Sequence, residues 1–228
     1  MPGVHRSFLK YFNTFSYSTD LKILDLGAGH GALTQKLHEM GYNVSACDLF
    51  PENFEFSEVK CDKADITDKL PYPGDTFDII IAVEVSEHII DHEMFFSELS
   101  RILKPGGRLF LSTPNILSLK SRIRFLFRGF FYSFDPLEIN NYDGLQHVAS
   151  LTLDQYNYVA VKNGFTEADY EIDKRQGSSA GFLVLIYPFI WLNTVVRNSP
   201  GIHNKMKLLL GRLLFLNFRN KKQTPASS

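Results

Sequence analysis

The chain has 228 residues, 44% hydrophobic and 21% charged, enough to bury roughly 70–75% of its unfolded surface as one globular domain. Its 20 Phe and 10 Tyr exclude disorder over most of the length, and its two cysteines, Cys47 and Cys61, exclude a disulfide scaffold and suit a reducing compartment. The net charge of −1 hides an asymmetry: residues 1–100 hold 17 acidic and 7 basic side chains, residues 101–228 hold 8 and 17, so the second half is the one that would face an anionic surface.

Residues 1–20 are read as an N-terminal helix without the continuous apolar run of a secretory signal. Residues 22–26 (Lys-Ile-Leu-Asp-Leu) form a buried strand that stops in Gly27-Ala28-Gly29-His30-Gly31. A helix follows on Leu33, Leu37 and Met40 and ends at Gly41. Strands are predicted at 42–47, more weakly at 58–61, at 77–83 and at 109–112. A helix carrying Phe95, Leu99, Ile102 and Leu103 runs to Pro105-Gly106-Gly107. This strand–helix alternation predicts an α/β fold, a doubly wound and mostly parallel sheet of seven strands. After Pro114 the rhythm breaks. Residues 114–150 form an insertion after the fifth strand, residues 152–163 a helix, 165–173 a sixth strand, 176–210 an irregular apolar region and 211–219 a last strand. The whole is one domain, with a ligand-binding core at 21–113.

The strand–glycine loop–helix unit carries the chemistry. Glycines admit close approach of a ligand, and a helix N-terminus offers free N–H donors. Asp25, two residues before the first glycine, would serve a ligand cation better than a pyrophosphate. Asp48, followed by Leu49, ends the second strand where a carboxylate can accept both hydroxyls of a ribose. A ribose, a cation near the loop and no need for phosphate together describe S-adenosylmethionine.

The ordered landmarks are Ile23-Leu24-Asp25-Leu26-Gly27-Ala28-Gly29-His30-Gly31, Asp48, Asp65 with Leu70-Pro71-Tyr72, Phe77-Asp78-Ile79-Ile80, Glu87-His88-Ile89 and Arg101-Ile102-Leu103-Lys104-Pro105-Gly106-Gly107. In these the sequence resembles the class I S-adenosylmethionine-dependent methyltransferases, clearly over 21–113 and loosely to about 173. The resemblance implies a Rossmann-like fold. It also implies that Asp25 and Gly27, Ala28 and Gly29 hold the methionine part of the cofactor, and Asp48 the ribose. Asp65 and Ile66 flank the adenine, and Val83 and Glu84 lie beside the methionine end.

Glu84, Glu87 and His88 stand at i, i+3 and i+4, one face of a helix if that segment is helical. The E-x-x-E-H pattern resembles that of ubiquinone-biosynthesis O-methyltransferases and of RNA 2′-O-methyltransferases. His147 follows 59 residues after His88, as a fourth candidate ligand for Mg²⁺ or Mn²⁺. His88 and His147 are also candidate bases. The competing reading makes Glu84 and Glu87 helix-dipole partners and His88 a packing residue.

Residues 118–134 interleave four cations with large apolar side chains. They are read as a lid over the substrate pocket, against an interfacial membrane segment or an RNA surface. Residues 176–196 are uncharged and as a helix would span about 31 Å. Pro188 and several polar residues favour a peripheral hydrophobic hairpin or a core strand–helix over a membrane span. The expectation is an enzyme at the cytoplasmic side, in contact with a membrane surface, that O-methylates a hydrophobic or lipid-linked small molecule. An RNA 2′-O-methyltransferase with metal assistance ranks below it, because 176–196 is too apolar for a phosphate groove, and a non-catalytic cofactor-binding relative ranks lower still, because the cofactor motifs are all intact.

Overall fold

The computed structural model describes residues 3–197 and 201–222. Seven strands form one sheet: β1 Lys22–Leu26, β2 Asn43–Asp48, β3 Cys61–Lys63, β4 Phe77–Val83, β5 Leu103–Pro114, β6 Asp169–Ile172 and β7 Leu213–Arg219. Their order is β3-β2-β1-β4-β5-β7-β6. The first five are parallel, and β7 runs antiparallel to both β5 and β6. The fold class read from the sequence is the one observed.

The helices are α1 Val4–Phe12, α2 Ala32–Glu39, α3 His92–Ile102, α4 Leu119–Arg128, α5 Leu153–Lys162, α6 Gly177–Arg197 and the short α7 Met206–Leu210. The apolar run of β4 from Ile79 to Val83 is explained by cover on both faces. Ile79 and Ile81 enter one core with Phe8 and Phe12 of α1 and Leu33 and Leu37 of α2. Ile80 and Ala82 enter the other with Phe96 and Leu99 of α3 and Tyr156 of α5.

Several boundaries differ from the sequence reading, among them the third strand, read at 58–61 and found at Cys61–Lys63, and the sixth, read at 165–173 and found at Asp169–Ile172. Helix α3 ends at Ile102, and β5 begins at Leu103, which pairs with Phe77; after an irregularity the pairing resumes at Arg108 opposite Ile79, and a Cβ on the intervening Gly107 would lie 2.9 Å from the Lys104 carbonyl oxygen and 3.0 Å from that of Asp78. The segment after β4 is a single 3-10 turn, Ser86–His88, and Glu84 precedes it at φ +58°, so Glu84, Glu87 and His88 do not share an α-helical face. Residues 177–197, expected to be irregular, form one long helix with Pro188 inside it.

The strand order turns between β1 and β4, and the connections that leave them lead to α2 on one face of the sheet and α3 on the other. That switch point is where doubly wound sheets leave the crevice in which they bind ligands.

Candidate functional site

Four parallel strands deliver their carboxyl ends to one cavity of about 490 Å³, within the range of small-molecule sites, roughly 300–1,000 Å³. Gly27 and Gly29 follow β1, and Asp48 and Leu49 end β2. Asp65 and Ile66 follow β3, while Glu84 and His88 follow β4. Ala28 and Val83 are buried and do not line it.

The loop after β1 needs its glycines. Gly27, Gly29 and Gly31 have φ of +72°, +54° and +84°. A Cβ on Gly27 would lie 2.6 Å from Val85 Cγ2, and one on Gly31 2.8 Å from the Phe54 ring. Gly27→Ala combines left-handed strain with that collision. It should cost about 2–4 kcal/mol of stability, read by thermal melting, with a loss of cofactor binding larger than that of Gly29→Ala, which meets nothing within 4 Å.

Asp48 is held by this loop. Its Oδ2 accepts the Gly29 N–H at 2.8 Å and its Oδ1 the Phe50 N–H at 2.9 Å. Each oxygen keeps further acceptor capacity, so the carboxylate is fixed in direction without being used up.

Asp25 sits at the end of β1, buried, accepting a 2.6 Å hydrogen bond from Thr34 Oγ1, and does not line the cavity. Burial pushes its carboxyl up to about 6, against the help of Thr34. The unfolded chain releases this proton near 3.8. The folded state therefore binds more protons between these values, and stability falls as pH rises from about 4 to 6, by about 3 kcal/mol. Asp25→Asn keeps an acceptor for Thr34. Its thermal midpoint should exceed the wild type's by several degrees at pH 7 without cofactor, and the gain should disappear at pH 4.

Asp65 is exposed. Its Oδ1 accepts from Thr67 N at 2.8 Å and Thr67 Oγ1 at 2.6 Å, which shapes the turn at the cavity's far end. Glu84, a non-glycine residue in the left-handed region, is strained. Ser112 holds it there: Glu84 N–H donates to Ser112 Oγ at 2.9 Å, and Ser112 Oγ donates to Glu84 Oε1 at 2.7 Å.

Glu87, His88 and His147 come together, with their candidate ligand atoms within 4.8 Å of one another. Glu84 stands outside the cluster, its carboxylate engaged by Ser112. Both Glu87 oxygens are buried without a hydrogen-bond partner, as is His147 Nδ1. Burial, then the Glu84 charge, holds the Glu87 carboxyl well above the ordinary range. Burial lowers both histidines, and the pair depresses His147 further. His88 Nδ1 lies 3.0 Å from the Gln146 carbonyl, which can only accept, so in the neutral ring Nδ1 carries the proton and Nε2 the lone pair. Val148 and Ala149 N–H groups donate to the Glu87 carbonyl at 2.9 and 3.1 Å, which ties the insertion carrying His147 to the turn carrying Glu87.

Sequence reasoning missed the cavity contributions of Phe50, Asn53, Tyr142, Gly144 and Leu145. Phe50 and Asn53 follow Asp48 closely enough to have been found. Residues 142–145 lie in a loop with no periodic signal. The aromatic run at 118–134 lines none of this cavity, and its α4 packs instead against α6.

Residues 24–111 match a family model described as a methyltransferase domain. A ubiquinone biosynthesis O-methyltransferase of Bartonella bacilliformis is 33% identical over 103 residues, 42% of this chain and 42% of that protein. The human mitochondrial ubiquinone biosynthesis O-methyltransferase is 34% identical over 119 residues, 47% of this chain and 32% of that one. The match thus spans less than half the length of these relatives. Among solved structures, a SAM-dependent methyltransferase from Archaeoglobus fulgidus superposes with a TM-score of 0.66 at 16% identity, covering 95% of this chain and 93% of that one. A phosphoethanolamine N-methyltransferase of Haemonchus contortus, in complex with S-adenosyl-L-methionine, superposes with a TM-score of 0.56 at 16% identity, covering 95% and 53%.

Proposed function

We propose that this chain is a class I S-adenosylmethionine-dependent methyltransferase that O-methylates a hydrophobic small molecule or lipid-linked precursor, a reading supported by the methyltransferase-domain match of residues 24–111 and by the shared fold. The observation that carries the reading is the 490 Å³ cavity at the carboxyl edge of the sheet, framed by the glycine loop and the anchored Asp48 carboxylate. In it, Asp48 accepts the ribose hydroxyls, Asp65 and Ile66 flank the adenine, and the Gly27–Gly29 backbone with Glu84 borders the methionine end. The bound donor supplies a methyl group on a sulfonium, a leaving group that needs no protonation. The chain's contribution is alignment, on the order of 7–11 kcal/mol of the barrier, exclusion of water, and removal of the acceptor's proton. His88 and His147, kept neutral by burial, supply acceptor lone pairs for that proton.

Isothermal titration with S-adenosylmethionine tests the reading. One equivalent bound, followed by transfer of labelled methyl to a lipid-soluble ortho-diphenol probe, is the expected result. No heat at millimolar cofactor overturns it.

A second reading adds a divalent cation, favoured by the orphaned Glu87 oxygens beside two imidazoles. One carboxylate and two imidazoles suit Mn²⁺ better than Mg²⁺, which prefers oxygen ligands. Held by Glu87, His88 and His147, a cation would supply Lewis acidity toward vicinal acceptor oxygens.

A further inference from the structure

Between β6 and β7 the chain leaves the sheet as α6, and the surface it creates is not accounted for by the cofactor site. Gly177–Val196 is long and apolar enough to cross a membrane, yet only 6% of its most apolar window is buried. Leu183, Ile186, Ile190 and Thr194, three to four residues apart, form the half-buried stripe toward the domain. Most of its outward face is also apolar: Val184 is 78% exposed, Phe189 72% and Val196 73%, with Leu185, Trp191 and Leu192 between them. A helix apolar on both faces is not at rest in water. Alongside it, α4 exposes Phe125, Leu126 and Phe127.

Both ends of α6 are fastened to the same domain. At its start, Gln176 N–H donates to the Leu210 carbonyl at 2.8 Å. Soon after its end, the Arg122 guanidinium of α4 donates to Asn204 Oδ1 at 2.8 Å and to the His203 carbonyl at 2.7 Å. A helix returned to its own domain at both ends cannot cross a hydrocarbon core about 30 Å thick. It lies flat. The charge around it is mostly positive: from Lys174 onward the chain has nine Lys and Arg and no Asp or Glu, and α4 adds Lys120, Arg122, Arg124 and Arg128. Arg124, Lys207 and Arg212 are paired with Asp135, Glu171 and Asp173, whereas no such ion pair engages Lys120, Arg128, Lys174 or Lys205 among the described residues.

The geometry points to α4 and α6 as a platform that docks on an anionic lipid bilayer, with the α6 outer face lying in the interface and the flanking cations against lipid headgroups. This deepens the methyl-transfer reading and rests on it in one respect: the acceptor is then taken from the lipid phase.

The experiment uses the full chain, whose single tryptophan, Trp191, stands on the proposed face. Phosphatidylglycerol vesicles should shift its emission to shorter wavelength, and brominated acyl chains should quench it. Leu185→Glu with Phe189→Glu should weaken partitioning at least tenfold, and Lys174→Glu with Arg128→Glu should weaken it severalfold, more at low salt than at high. Unchanged emission with every vesicle overturns the proposal, as does equal partitioning into neutral phosphatidylcholine. So does a chain that elutes as a dimer with Trp191 already shielded from acrylamide, which would make a second copy the occupant. Cofactor calorimetry on the same preparations keeps the two readings apart: these variants should bind S-adenosylmethionine like the wild type, whereas loss of cofactor binding in the wild type would sink the enzymatic reading and leave the lipid result standing.

Discussion

Asp48→Ala should weaken S-adenosylmethionine binding by roughly 30- to 1,000-fold while the protein remains folded. The carboxylate would give two charge-assisted hydrogen bonds to the ribose, worth about 1.5–3 kcal/mol each less what water returns, so a net loss near 2–4 kcal/mol is the expectation. The wild-type geometry separates this from general damage. Gly29 and Phe50 donate to Asp48 from a half-buried loop, and in the variant those N–H groups can turn to water. Asp48→Asn sharpens the test, because the amide keeps one acceptor and loses the charge. It should fall between wild type and alanine. Titration calorimetry reads both variants, and an alanine variant within threefold of wild type would remove Asp48 from the site.

The side of the cavity proposed to take the cofactor was legible as a cluster in the sequence because its parts are local. The Gly27–Gly31 loop, Asp48 and Asp65 each follow a strand directly, so placing the strands placed the residues at one sheet edge. Glu84 was not legible in the same way. Its left-handed backbone depends on Ser112, a partner 28 residues away, and no periodicity encodes it. The helical face considered for Glu84, Glu87 and His88 is replaced by a 3-10 turn at Ser86–His88 that begins after Glu84. Helix α6 was hidden by a different cause. A helix apolar on both faces has no stripe for a period of 3.6 to detect, and Pro188 reads as a break although the helix passes through it. The segment 142–145 gave no signal because a loop that covers a cavity owes its place to what lies beneath it.

His147→Ala should abolish divalent-cation binding and slow methyl transfer by about 10²- to 10⁴-fold, with S-adenosylmethionine affinity unchanged. The residue is well suited to this separation. It does not line the cofactor cavity, yet its ring stands 4.9 Å from that of His88, centroid to centroid, and its Nδ1 is buried without a partner. Glu87→Gln should do the same to Mn²⁺, since a neutral amide is a poor ligand in place of a carboxylate. Titration calorimetry and the Mn²⁺ paramagnetic signal read binding directly, with no need of the natural acceptor. Transfer to the ortho-diphenol probe reads the rate. Because burial lowers both histidines, the wild-type rate should hold as pH falls through the ordinary histidine value of 6.5 and decline only below it. Two outcomes divide the chemistry. Mn²⁺ affinity lost at least 100-fold together with the rate assigns the cluster to a cation. A rate that falls while the wild type binds no Mn²⁺ assigns His88 and His147 to the acceptor's proton, and a rate within threefold of wild type removes the cluster from the mechanism.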